Sequence, residues 1–476
     1  ESLLAHARKR MVSFHTPGHK NGEGIDDRLR KFTGRNLYYM DVTVFPAVDS
    51  LHDPVGPIRE AQQLMAQAYG VKQSFMLVNG STVGNQIMLM AACNPGDSVI
   101  LSRSAHKSVM GGIIQSGVWP IWIQPRVDQD LDLILDCTPE QVEQAIQQFP
   151  EAKAVFVTSP TYNGVVTDLR RIAEICHARG KILLVDEAHG PHLHFHRDFP
   201  VAAVEAGADL CVQSIHKILS GLSQGSVLHF NTELIDVSRV TKIVSMLQTT
   251  RPNYLILASL DLARRQAELF GERLLDRVIQ VAEEGRRQIN RLRRFTCFTR
   301  ADARARGYDL DVTKLTISVT RTGFSGQEVA AALHREYNVQ VDCADLFNLI
   351  AIMGIGSTPR DMRKLVAGLK ALDAKPEGHS QNWTLQLPSL ATELVMNPRD
   401  VFFKPPAAVR RVPLNRAAGQ ISAQTLTPYP PGIPVLIPGE RISQEVVDYL
   451  MEFVQRRIRV VGQETDALRT ITVVKT

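Results

Sequence analysis

The apolar positions of this chain change their spacing near residue 60. Up to about residue 50 they follow no repeat, and FHTPGHKNG (14–22) is too punctuated by Gly, Pro and His to be a regular element. These residues read as an N-terminal arm, 1–50, packing across another surface. From residue 60 short apolar runs alternate with amphipathic stretches. The runs Ser74–Val78, Ser98–Leu101, Pro120–Ile123, Ala154–Thr158, Ile182–Asp186, Leu210–Ser214 and Ser226–Phe230 predict strands. Val83–Ala92, Pro139–Gln148 and Leu169–Arg179 predict helices between them. Such alternation predicts a mostly parallel seven-stranded sheet, helix-covered on both faces, in a large domain over 51–300. Its functional groups should lie in the loops at the carboxyl ends of the strands. Glu233–Arg294 reads as long helices, and Leu310–Val319 restarts a strand. Residues 301–476 read as a smaller α+β C-terminal domain, Pro-rich from 376 to 438.

Composition narrows the class. A length of 476 residues fits two or three domains. The net charge of +5 is small for that length and argues against a nucleic-acid partner. Six cysteines lie at 93, 137, 176, 211, 297 and 343, too far apart for a CxxC pair, so neither a disulfide framework nor a zinc site is expected. No apolar run approaches the roughly 18 residues that cross a bilayer, and no signal-peptide core is evident at the start. A cytoplasmic protein without a membrane partner is expected.

Four loops after predicted strands carry reactive side chains. Asn79-Gly80-Ser81-Thr82 leads from a strand into a helix. Small residues and free helix N–H groups there suit a phosphate, although the same residues make an ordinary turn and cap. His106, in Ser104-Ala105-His106-Lys107-Ser108, could stack on an aromatic cofactor or simply cap a helix. Asp186 ends a buried strand, where a carboxylate needs a partner; a cationic ring nitrogen would be one, a turn another. Lys217, in Ser214-Ile215-His216-Lys217, ends an apolar run among small residues. Such an amine, desolvated, becomes nucleophilic; the plainer alternative is a lysine reaching out to water. His192, His194 and His196 alternate, so a strand would place them on one face. No metal is expected there, because no acidic or Cys partner is evident.

Taken together, the order and spacing of these loops resemble fold-type I enzymes that use pyridoxal 5′-phosphate, and specifically the Orn/Lys/Arg decarboxylase family in its short form. The resemblance runs from residue 13 to 455. It is carried by FHTPGHKNG (14–22), DSLHDPVGPI (49–58), NGST (79–82), AHKS (105–108), SPTYNG (159–164), VDEAHGPHLHFH (185–196), SIHK (214–217) and YPPGIPVLIPGE (429–440). It implies an aspartate-aminotransferase-like α/β fold and decarboxylation of a basic L-amino acid to agmatine, cadaverine or putrescine, with arginine slightly favoured.

The resemblance also implies residue roles. Lys217 would carry the cofactor as a Schiff base, Asp186 would pair with its ring nitrogen, and His106 would stack on the ring. Ser81, Thr82, Ser214 and His216 would hold the phosphate, and Thr161 and His189 would touch the ring or its 3′ oxygen. Thr249 and Thr250 would come from a partner subunit in a homodimer or higher homo-oligomer with shared sites. Glu440, ahead of Asp342 and Asp345, would meet the substrate's distal cation, and the 429–440 segment would wall the entrance. Lys217 or His106 would return the proton. Arg251, Ser104 and Asp342 stand where the family commonly has Ser, Asn and Glu. An aminotransferase or lyase of the same fold, and a catalytically silent regulatory homologue, are the rival readings.

Overall fold

The seven apolar runs become the strands of one sheet. In the computed structural model, which describes residues 1–375, 388–389, 393–428, 433–456, 460–463 and 468–475, they are Gln73–Leu77 (β1), Ser98–Ser102 (β2), Trp119–Ile123 (β3), Ala154–Thr158 (β4), Ile182–Asp186 (β5), Leu210–Gln213 (β6) and Ser226–Phe230 (β7). Their order across the sheet is β1-β7-β6-β5-β4-β2-β3, and β7 alone runs against the rest. The side chains of β4 and β5 alternate between two apolar layers. Val155, Val157, Leu183 and Val185 join one, while Ala154, Phe156, Ile182 and Leu184 join the other. Both faces are covered, which is why these strands read as unbroken apolar runs rather than an alternation.

The helix Gly80–Ala92 packs tightly on the sheet: a Cβ on Gly84 would lie 2.3 Å from Val212 Cγ2 on β6. The long helical region resolves into Val237–Leu247 and a 36-residue helix, Tyr254–Ile289, capped by Asn253. At 1.5 Å per residue the latter spans about 54 Å. Its Leu260 and Ala263 belong to the first core, and its Val278, Ala282 and Ile289 to another. That second core lies under a four-stranded sheet of Thr296–Cys297 (β8), Lys314–Ser318 (β9), Cys343–Ala344 (β10) and Asn348–Ile352 (β11), ordered β8-β9-β11-β10. A further apolar cluster gathers Leu414, Val435, Leu450, Phe453 and Val473.

Three expectations change. The arm contains short helices at Ser2–Arg8, Asp27–Thr33 and Asn36–Met40; at five to seven residues each, they are too short for an apolar period to show. The strand expected over Leu310–Val319 breaks at a corner. Asp309–Leu310 pairs with Val165–Val166, and β9 starts only at Lys314. Asp311 Oδ1 accepts the Thr313 N–H at 3.0 Å, closing that corner. Finally, His192–His196 is no strand but a turn around a 3₁₀ helix, Leu193–Phe195. Its three imidazoles diverge to separate carboxylates: Asp311, Glu205 and Asp276.

Candidate active site

The groups singled out in the sequence gather at the carboxyl ends of β1, β2, β4, β5 and β6. Asp186, the last residue of β5, is buried; its Oδ2 accepts from Asn85 Nδ2 at 2.8 Å and its Oδ1 from the Ala188 N–H at 3.1 Å. The Asn85 amide also reaches Ser108 Oγ at 2.9 Å, and Ser108 Oγ lies 2.8 Å from His106 Nδ1. His106 is thus tied to Asp186 through two side chains, while it caps the helix Lys107–Ser116. Desolvation lowers its pKa; Asp186 opposes that and Lys217 reinforces it, so the three groups feel one another.

Lys217 sits just beyond β6, in the short helix Ile215–Ile218. Its Nζ is hydrogen-bonded to His189 Nε2 at 2.8 Å. Burial depresses its pKa to about 8, against the opposing pull of Asp186. His189 itself is held well below the ordinary imidazole range by burial and then by Lys217 and Lys314, so it is neutral. Its buried Nδ1 has no partner among the described residues. Tyr162 packs edge-on against the His189 ring, centroids 5.1 Å apart, and its hydroxyl bonds Asp342. Lys217 also lines a cavity of about 510 Å³ with Gln266, Arg277 and Ser357.

A hydroxyl cluster lies where β1, β6 and β7 meet. Ser81 Oγ is 2.7 Å from Ser214 Oγ and 3.3 Å from Ser226 Oγ, at the first turn of Gly80–Ala92. Asn79 leaves that helix start without a side-chain cap, so free N–H groups face the cluster's end of the helix. Thr82 is on the exposed side of the turn. His216 Nδ1 bonds the Gly225 carbonyl at 2.9 Å. Thr161 is buried, and its Oγ1 accepts the Val165 N–H at 3.1 Å.

Other residues are placed differently. Thr249 and Thr250 are exposed, with His52 Nε2 on the Thr249 carbonyl at 3.0 Å. Glu440, favoured for the substrate's distal cation, is instead engaged inside the fold. It is fully buried, and its two oxygens lie 2.5 and 2.8 Å from Arg103 Nη1 and Nη2, with the Ile437 N–H on Oε2 at 2.9 Å. Asp345 Oδ1 accepts the N–H groups of Phe347 and Asn348, and burial raises it to about 6. Of YPPGIPVLIPGE, residues 429–432 lie outside the described residues. Asn85, Ser108, Tyr162, Arg103 and Lys314 had no assigned role in the sequence. Asn85 lies one helical turn after the NGST loop, a spacing that could have flagged it.

With this geometry in place, comparison with known proteins is decisive. The family model for the Orn/Lys/Arg decarboxylase major domain matches residues 1–361, and that for the C-terminal domain of the same family matches residues 382–467. The chain belongs to the Orn/Lys/Arg decarboxylase family. This decarboxylase is 39% identical to an arginine decarboxylase of Halalkalibacterium halodurans, over 99% of its own length and 96% of that protein's. To an arginine decarboxylase of Bacillus subtilis it is 38% identical, with the same coverage. The solved structure of lysine decarboxylase A from Pseudomonas aeruginosa shares the fold with a TM-score of 0.85. Identity there is 22%, over 100% of this chain and 80% of that one. Among the described residues no helix is long and apolar enough to cross a membrane.

Proposed function

We propose that this decarboxylase removes CO2 from L-arginine, in preference to lysine or ornithine, to give agmatine, using pyridoxal 5′-phosphate held by Lys217. The carrying observation is that a desolvated amine, a buried carboxylate and an imidazole face one another where five strands end. The residues suit the cofactor. An uncapped helix start beside the Ser81–Ser214 hydroxyls suits a phosphate dianion, and the buried His189 Nδ1 supplies a polar atom that lacks a partner among the described residues. When bound, pyridoxal phosphate supplies an aldehyde for amines and a ring that withdraws electrons from Cα. Asp186, kept in place by Asn85, would hold a protonated ring nitrogen. Ser81, Thr82, Ser214 and His216 would hold the phosphate, His106 would lie against the ring, and Thr161 and His189 would flank it. Lys217 or His106 would return a proton to Cα.

Asp342 is the favoured anchor for the guanidinium. Its carboxylate has no cationic partner among the described residues, burial raises it, and it is joined through Tyr162 to the His189–Lys217 pair. Asp345 is the second choice, and Glu440 is engaged by Arg103. A second copy would supply Thr250. Met246 and Val55, exposed on adjoining segments linked by the Ser245–His52 hydrogen bond, support such a contact. Six cysteines without a disulfide suit a reducing cytoplasm. Incubation of the holoenzyme with arginine, lysine and ornithine, with CO2 and amine measured, tests the reading. Arginine should turn over fastest, and no CO2 from any of the three would sink it.

A further inference from the structure

A second lysine stands behind the first. Lys314 opens β9 and is fully buried. An ammonium out of water is expensive unless it is paired and hydrogen-bonded. Its Nζ donates to Asp311 Oδ2 at 3.0 Å, to Thr313 Oγ1 at 3.3 Å and to the backbone carbonyl of His189 at 3.2 Å. Asp311, equally buried, lies 3.1 Å from His192 Nε2 through its other oxygen. Burial alone would raise Asp311, but Lys314 and His192 hold it far below the carboxylate range, so the pair is charged.

This pair grips the 189–192 turn at both ends, and that turn carries the imidazole bonded to Lys217. It also receives the neighbouring turn. Gly164 has φ +85°, and a Cβ there would lie 2.7 Å from Lys314 Cβ; its carbonyl accepts the Asp311 N–H at 2.8 Å. The Thr161–Gly164 turn, which carries Tyr162, therefore closes directly on Lys314. One ion pair on the second sheet thus sets two active-site turns of the first.

We propose that Lys314 is a positioning residue of this decarboxylase: with Asp311 it fixes the His189 turn, and it places a positive charge behind Lys217. The charged and titratable groups facing Lys217 are Asp186 from β5, His106 from the helix Lys107–Ser116, His189 from its turn, His216 beside it, Lys314 from β9 and, across the cavity, Arg277 from the long helix. Asp186 favours the ammonium form of Lys217; burial and Lys314 disfavour it. Removing the Lys314 charge should therefore make Lys217 more basic and loosen His189.

The inference rests on Lys217 being the reactive amine, and its test separates the two. In the cofactor-free full chain, reductive methylation with 13C-formaldehyde gives a Lys217 NMR signal, assigned by its loss in Lys217→Ala. It should titrate near 8, far below the ordinary lysine value of about 10.4. The Lys314→Met/Asp311→Asn double variant removes both charges and leaves neither buried alone. There the signal should move up by about half a unit to one unit, and the holoenzyme's kcat should fall about tenfold or more while KM changes less than about threefold. A folded double variant with titration and kcat unmoved makes the pair merely structural and overturns the proposal. Wild-type Lys217 titrating near about 10.4 overturns it as well, even if the double variant fails to fold. Absence of CO2 release from the wild type would sink the decarboxylase assignment and leave the Lys217 titration standing.

Discussion

At the scale of single residues, chemistry follows from how each polar group is partnered. Lys217→Ala removes the only group assigned to carry the cofactor covalently, and CO2 release should drop to background. The check is the assay with excess pyridoxal phosphate, together with loss of visible absorbance from the cofactor-loaded protein. Asp342 is proposed for a different role, the anchor of the substrate's guanidinium. A hydrogen bond to a charged partner contributes about 1.5–3 kcal/mol, so Asp342→Asn should raise the KM for arginine about 10- to 100-fold and change kcat much less. If kcat falls instead, with KM unmoved, Asp342 is not the anchor. The positions of the proposed reactive side chains were legible in the sequence, because Lys217, Asp186 and His106 each end or follow a clear apolar run. Their supports were not: Asn85 and Asp186 are 101 positions apart, and nothing local to either marks the bond.

At the scale of elements, contacts between strands and helices place those residues. The helix Gly80–Ala92 rides so close to β6 that Gly84→Ala would drive a methyl into Val212. Overpacking of this kind costs about 1–3 kcal/mol. Because β6 leads to Ser214 and Lys217, cofactor affinity should weaken along with the lowered Tm, and adding Val212→Ala should recover part of both. The loop between β2 and His106 is tied elsewhere. Arg103 joins it to Glu440 and the Pro434 carbonyl, and its guanidinium lies 5.0 Å from the Trp122 ring. Glu440→Gln leaves that guanidinium buried without its countercharge, which costs about 3–5 kcal/mol. Thermal melts should show the loss. A double replacement, Arg103→Met with Glu440→Leu, should regain most of it while the isolated change does not. The family pattern flagged Glu440, yet a partner 337 positions away decided its use.

For the whole molecule, the relevant question is how charge is stored inside the core. Glu187, next to Asp186, points among Gln213, Cys211 and the Ala203 N–H, and burial raises it to about 8. The folded chain therefore keeps this proton from about pH 4.3, where an unfolded Glu loses it, up to about pH 8. Across that window the folded state binds more protons than the unfolded one, so this group's contribution to stability falls as pH rises. Denaturant melts from pH 5 to 8 should show that decline, and Glu187→Gln should flatten it whatever its own cost. An unchanged slope in the variant would show that Glu187 is already ionised. The same scale explains the long helix, whose two halves belong to two cores, as expected of a helix crossing between domains.

The sequence by itself determined the strands of the large sheet, their mostly parallel arrangement and the loops bearing Lys217, Asp186 and His106, because strands covered on both faces are largely apolar and here alternate with amphipathic helices. Tertiary structure decided which buried charges pair. Arg103 with Glu440 and Lys314 with Asp311 join segments, or turn a corner, in ways that no periodicity encodes. Desolvation is the reason: a charge excluded from water takes whichever partner the packed core brings within reach, and only the folded chain defines that neighbour.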